Sequence, residues 1–306
     1  MKVLFVSSGN LNNGQPSVLI KNQGESLNVM GVKIHYYTIK RKGIIGYLRS
    51  VREIAKEIRT IQPDHIHSHY SLSAFSTSIA ILFFNIKTPH TVSLMGSDTK
   101  MNGWKKRLTI YLSKHQWNHT IVKAISMAKE LGLKTYHIVP NGVDLNKIKP
   151  TNSKNNRTII FPANPSRVSK NYDLAKQAIK ILKRSMADLN FEVCYGLSHP
   201  EIISKIQNSG VVLVTSLWEG SPNIVKEAMA LNKPIVCTKV GDIEMLLNAV
   251  DGTYMVNFDP NDVAAGIKSA ILFGENEGKT TGRKKLEKLN LDSDSIAKKI
   301  MTIYKS

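Results

Sequence analysis

The chain has 306 residues, 42% of them hydrophobic and 21% charged, with 42 Lys and Arg against 23 Asp and Glu for a net charge of +19. At ~150 residues per domain this length makes two domains, and an ordinary composition without low-complexity tracts or fixed-period repeats excludes disordered, fibrous and solenoid classes. The charge is uneven: residues 1–150 carry 21 basic against 7 acidic side chains and the remainder 21 against 16, a field that favours a polyanion, an anionic bilayer or a phosphorylated substrate.

Residues 2–6 read as a first strand, too short for a signal-peptide core and followed by polar residues, so the chain is expected to stay in the cytoplasm. A Gly- and Asn-rich loop, 7–17, contains Gly14 and precedes an amphipathic helix at 18–30, the strand, loop, helix opening of an α/β wrap. Residues 32–39 alternate as a second strand, 48–61 have helical periodicity, and 63–69 form a strand carrying His65, His67 and His69. Their spacing of two puts the three imidazoles on one face. With no carboxylate or cysteine nearby in sequence they are not taken as a metal site.

The longest apolar-leaning segment, 74–86, falls short of the ~20 residues a spanning helix needs, so any membrane contact is expected to be peripheral, on the inner face. Residues 89–98 make a strand ending in the polar turn Gly96-Ser97-Asp98. In 105–117 cationic, apolar and aromatic residues interleave at helical spacing. This helix can lie on an anionic membrane surface through Lys105, Lys106, Arg107 and Lys114, or pack by Leu108, Leu112 and Trp117 with a solvated basic face. A strand at 121–124, a short helix at 126–130 and a turn at 137–144 follow, and polar residues 145–157 read as a linker between domains.

The second domain opens with a strand at 158–161, a turn-rich loop holding Arg167 and Lys170, and a helix at 172–184. Cys194 and Cys237, the only cysteines, fall in apolar strand-like runs far apart in sequence, as free thiols in a reducing compartment do. The rest is organised around 216–230, Ser-Leu-Trp-Glu-Gly-Ser-Pro-Asn-Ile-Val-Lys-Glu-Ala-Met-Ala, which follows a short apolar strand at 210–215. Ser221 reads as an N-cap and Pro222 as the first helical residue, so the amides of Asn223 and Ile224 lie at the positive end of a helix, an anion site made of backbone. Glu219 lies just before the cap, and Glu227 shares a helix face with Asn223. A carboxylate cannot bind phosphate. The pair is therefore read as accepting from hydroxyl groups on either side of a diphosphate, the layout of a nucleotide sugar, with an ordinary capped helix and two solvated glutamates as the alternative.

This stretch resembles the Glu-x7-Glu element of the GT4 family of retaining GT-B glycosyltransferases (glycosyl transferases group 1), in the form E-G-S-P-N-x-x-x-E-A-M-A. The resemblance implies that Glu219 faces the ring hydroxyls of the donor sugar, that Ser221, Pro222, Asn223 and Ile224 hold the diphosphate, and that Glu227 takes the ribose hydroxyls. It makes Gly14 the counterpart of a glycine-rich loop that contacts donor phosphate or acceptor, although the usual Gly-Gly pair is absent. Residues 63–69 resemble the family's D-x-I-H-x-H element, which implies that His69, Tyr70 and Ser71 line the acceptor cleft. Gly96, Ser97 and Asp98 are similar to an active-site loop, with Met95 where many relatives have histidine; His90 is not assumed to replace it, and a buried, capping Asp98 is the alternative. Residues 137–144 resemble the family's V-P-N-G-V-D. Arg167 and Lys170 correspond to two cations that neutralise the departing diphosphate, more closely spaced than in most relatives and with Asn171 where glycine is usual. By the same analogy 197–201 approaches the nucleotide base.

The implied fold is α/β, GT-B: two Rossmann-like parallel-sheet domains facing across a cleft, with the acceptor domain at 1–150, the nucleotide-sugar domain at 151–290, and a C-terminal helix at 291–306 crossing back to the first. The implied function is retaining, metal-independent transfer of a hexose from a nucleotide diphosphate sugar, UDP-linked on prior, to a saccharide or lipid-linked acceptor in cell-surface polysaccharide or glycolipid synthesis. No cofactor is expected; Glu219, Asp98, Arg167 and Lys170 are the expected catalytic residues. A GT-B nucleotide-sugar epimerase is disfavoured because this form of Glu-x7-Glu belongs with the transferases. A nucleic-acid binder would use the charge, but aromatics are sparse and nowhere form stacking platforms beside a basic groove.

Overall fold

Lys2–Ser8 (β1) runs inside the first sheet, and its Val3, Leu4, Phe5 and Val6 are fully buried because helices cover both faces of a parallel sheet. A computed structural model describes residues 1–10, 13–40, 43–151 and 156–306; parts of the expected loop at 7–17 and of the expected linker at 145–157 lie outside these described residues. From β1 the chain alternates: Val18–Val29 (α1), Lys33–Ile39 (β2), Gly43–Ile61 (α2), His65–His69 (β3), Ser71–Phe83 (α3), His90–Ser93 (β4), Trp104–His115 (α4), His119–Val122 (β5), Ile125–Leu131 (α5) and His137–Ile138 (β6). The six strands are parallel in the order β2-β1-β3-β4-β5-β6.

Register decides which residues share a face. Leu4 pairs with Ile66 and Ser68 with Val92, so Leu4, Val6, Ile66 and Val92 point the same way. That face receives α2, α3, α4 and α5 in two adjoining apolar clusters. On the opposite face Phe5, His67 and His69 form a ring cluster against Tyr304 of the C-terminal helix.

The second unit repeats the scheme with Thr158–Phe161 (β7), Tyr172–Leu182 (α6), Asn190–Val193 (β8), His199–Gln207 (α7), Val211–Val214 (β9), Asn223–Ala230 (α8), Ile235–Thr238 (β10), Ile243–Leu247 (α9), Thr253–Val256 (β11), Pro260–Asn276 (α10) and Gly282–Lys288 (α11). Its five strands are parallel in the order β11-β10-β9-β7-β8. Asp259 starts α10 by accepting from the Asn261 and Asp262 amides at 2.7 and 3.1 Å, with Pro260 at the first position, where its missing N–H is harmless. The C-terminal helix, Ser293–Lys305 (α12), belongs to the first unit and packs on α1.

The units divide at Gly142 and again at Asp292, ahead of the boundary expected at 150. The reason is local bonding. Val143 N–H donates to Leu291 O at 3.0 Å, and the Arg283 guanidinium donates to Leu145 O and Ile148 O at 2.7 Å each, so the start of the expected linker is packed into the second unit.

Candidate functional site

Three neighbouring strands of the second unit end together at the stretch around Glu219. β9 is four residues long and wholly buried, and it delivers residues 215–222 to the C-terminal edge of the sheet, where ligands of parallel sheets bind. Thr215 Oγ1 donates to Lys170 O and Asn171 O at 3.0 Å, and Leu217 N–H to Ser169 O at 2.9 Å, so the loops after β9 and β7 are stapled together. Thr238 Oγ1 on β10 donates to Ser216 O at 2.6 Å. Within this frame one Glu219 oxygen accepts from the Lys170 ammonium and from Ser216 Oγ at 2.8 Å. Both charged side chains are less than one-fifth exposed. Lys170, expected on the diphosphate, is thus first a partner of Glu219, and its ammonium has further protons for an anion.

The helix after Glu219 starts one residue later than its sequence implies. Pro222 has φ −70° and ψ 116°, so it is the N-cap and α8 begins at Asn223. Ser221 is therefore not the cap. Its hydroxyl is buried near Asp242 without a hydrogen bond of normal length. The ladder begins with Lys226 N–H on Pro222 O at 3.4 Å, which leaves the amides of Ile224 and Val225 without an acceptor inside the helix, at its positive end.

The turn at Glu219 and Gly220 rests on the loop between β10 and α9. Asp242 N–H donates to Gly220 O at 3.2 Å, and Gly241 has φ +62°. A Cβ on Gly241 would lie 2.4 Å from Gly220 O, so only glycine lets the two backbones approach. The sequence marks a turn at 241–244 but not this contact.

Glu227, eight residues after Glu219, is 7% exposed, and its Oε1 bonds to His199 Nε2 at 2.8 Å. His199 heads α7, whose start is fixed by Ser198 N–H on Glu201 Oε2 at 2.7 Å. The bond to Glu227 raises the imidazole above its ordinary value against the opposing effect of burial. Sequence reasoning treated 197–201 as a loop and missed both α7 and His199; the Ser-x-x-Glu spacing at 198–201 was the available signal. Beneath the pair Lys226 is fully buried, and burial lowers its ammonium to about 8 while Asp242 and Glu227 pull it back up. Asp242 is pushed up by burial, with Ser221 and Lys226 pulling it down.

Arg167 caps the short 3-10 turn Val168–Lys170, with an exposed side chain that joins no ion pair among the described residues. Gly14 lies in the first unit at φ +80°, closing its loop through Gly14 N–H to Gly9 O at 3.0 Å and accepting from Thr38 Oγ1 at 2.6 Å. Asp98, also in the first unit, is fully buried. Its Oδ1 accepts from Ser71 Oγ at 2.8 Å and Ser71 N–H at 3.3 Å, and its Oδ2 from Met95 N–H at 2.6 Å, which ties the 3-10 turn Gly96–Lys100 to the start of α3. Burial raises its carboxyl to about 7. His69 and Ser71 are buried. Of the four cations expected on a membrane, Lys106 donates to Glu130 O at 2.7 Å and Lys105 lies 5.8 Å over the Trp104 ring, while Arg107 and Lys114 are exposed. Among the described residues no group of three or more His, Cys, Asp or Glu could hold a metal ion.

Residues 175–272, which contain Glu219 and Glu227, match the model of the family described as glycosyl transferases group 1. An uncharacterized glycosyltransferase of Methanocaldococcus jannaschii is 26% identical over 256 residues, 74% of this chain and 71% of that protein. Among solved structures, Anabaena HepE in complex with UDP and glucose is similar with a TM-score of 0.74 at 15% identity, covering 99% of this chain and 98% of that one. Sucrose-phosphate synthase of Thermosynechococcus elongatus is similar with a TM-score of 0.78 at 12% identity, again covering 99% and 98%. At such identities the likeness is one of fold, and the fold is GT-B.

Proposed function

We propose that this chain, a glycosyltransferase of group 1, moves a hexose from a nucleotide diphosphate sugar, with UDP as the nucleotide, to a hydroxyl of a saccharide or lipid-linked acceptor, retaining the anomeric configuration and needing no metal. The observation that carries the reading is the pair of carboxylates flanking the start of α8: Glu219 held by Lys170 and Ser216 on one side, Glu227 held by His199 on the other. The amides of Ile224 and Val225 suit a diphosphate between them. Glu227 has its second oxygen for the ribose diol, with His199 fixing the first. Glu219 takes ring hydroxyls of the sugar and stabilises the positive charge that grows there as the bond to phosphate breaks.

In the proposed reaction the bond between the anomeric carbon and the phosphate oxygen breaks, and the bond to the acceptor oxygen forms on the same face. The acceptor proton passes to the leaving phosphate oxygen. Lys170, Arg167 and the helix start balance the charge left on the diphosphate. The buried thiols Cys194 and Cys237 fit work in the reducing cytoplasm. Transfer from a panel of nucleotide sugars in excess chelator, with the product anomer read by NMR, tests this. A retained anomer formed without divalent metal is expected; an inverted product, or activity restored only by magnesium or manganese, overturns the mechanism.

A further inference from the structure

One face of the first unit carries an apolar ridge between two cationic flanks. α3 is the middle helix. It is joined to α2 by Ser76 Oγ donating to Tyr47 O at 3.0 Å and by the Arg59 guanidinium 5.3 Å over the Phe84 ring. It is joined to α4 by Gln116 Nε2 and Trp117 Nε1 donating to Ser78 O and Ser78 Oγ, both at 2.9 Å. The outward positions of α3 are Ile79, Leu82 and Phe83, the last two 67% and 79% exposed. On α4, Trp104, Arg107, Tyr111 and Lys114 recur at helical spacing on the outward side, with the two aromatic residues 56% and 60% exposed. On α2 the outward residues include Leu48, Arg49 and Arg52. Neither α3 nor α4 contains an acidic residue, and Glu53 of α2 is taken by the Tyr37 hydroxyl at 2.6 Å.

We propose that this face docks on the surface of an anionic lipid bilayer, with Leu82, Phe83 and the Trp104 ring entering the interface and Arg49, Arg52, Arg107 and Lys114 against the lipid phosphates. The chemistry of the patch selects that occupant. Exposed leucine and phenylalanine do nothing for a nucleic-acid backbone. A second copy of the chain, meeting the same patch, would press like charges together. A bilayer interface takes apolar tips, amphipathic aromatic rings and cations at once. The patch also narrows the surface expected from sequence, because Lys105 and Lys106 are engaged within the fold.

Co-sedimentation of the full chain with vesicles of phosphatidylcholine alone, or mixed equally with phosphatidylglycerol, tests the proposal. Binding to the anionic vesicles only, weakened by salt, is expected. Leu82→Ser with Phe83→Ser should lower the partition coefficient about tenfold or more, and replacing Arg49, Arg52, Arg107 and Lys114 with Gln should cost about fivefold per charge. Both sets should leave nucleotide binding by the second unit unchanged, which separates this surface from the proposed transfer chemistry. Equal binding to neutral vesicles, variants that bind as the parent does, or a dimer that the serine pair dissociates without any vesicle binding would each overturn it.

Discussion

Lowering the pH from 7 to 5 should destabilise the first unit by about 4 kcal/mol or more through groups buried on either side of its sheet. Burial holds His65 at about 4 and His69 and His90 at about 3, from an ordinary value of 6.5. His67 is lowered too, by burial and then by its neighbours His69 and Lys123. A depressed folded-state value means that the unfolded chain takes the proton first, so stability falls as the pH drops below 6.5 and levels off only below the folded values. Each imidazole then costs about 2 kcal/mol at pH 5 relative to pH 7, or about 6 for the three. Asp98 acts oppositely: raised from 3.8 to about 7, it takes a proton in the folded state first and returns about 2 kcal/mol over the same interval. The imidazoles win. Hydrogen exchange of the β3 amides across that pH range, with urea unfolding as the global measure, reads the effect. His69→Phe should remove about 2 kcal/mol of the dependence, because among the described residues neither His69 ring nitrogen has a hydrogen-bond partner to orphan. Protection of β3 that is flat from pH 7 to 5, or unaltered in His69→Phe, would refute the reasoning.

Glu219→Gln, which keeps shape and removes charge, should lower turnover about 10- to 1000-fold, whereas Glu227→Gln should mainly raise the Michaelis constant for the donor; steady-state kinetics in which both are silent would return α8 to an ordinary helix start. The His199 imidazole should titrate above 6.5 by NMR because Glu227 holds its proton, and what the pair adds to stability should be present below 6.5 and fade as the pH rises through the folded value; a midpoint unmoved by Glu227→Gln would contradict that pairing. Gly241→Ala should cost about 2 kcal/mol or more in denaturant unfolding, from a strained φ and a Cβ driven at the Gly220 carbonyl.

Legibility in the sequence followed the range of the interaction that decides each feature. The parallel strands were readable because runs such as Val211–Val214 are apolar throughout, which a sheet covered on both faces demands. Glu227 on one helix face with Asn223 was readable from helical spacing, and Glu219 from its place just ahead of the helix start. What escaped depended on partners distant in the chain. Glu227 meets His199, and Gly241 meets Gly220, only after strands pair. Asp98 shows the converse: a local Gly-Ser-Asp turn carries the same letters whatever its carboxylate meets, and its bond to Ser71 has no local signature. The domain boundary was misplaced for the same reason, since the bonds of Arg283 to Leu145 and Ile148 have no local signature.

The measurement nearest the central claim is a calorimetric titration of nucleoside diphosphates, UDP first, into the intact protein in excess chelator, repeated with Glu227→Gln. The account predicts saturable binding at one site per chain without metal, weakened about tenfold or more when Glu227 loses its charge, since a charge-assisted hydrogen bond to the ribose and its orientation by His199 are lost together. No binding of any nucleoside diphosphate, or binding that Glu227→Gln leaves unchanged, would contradict it.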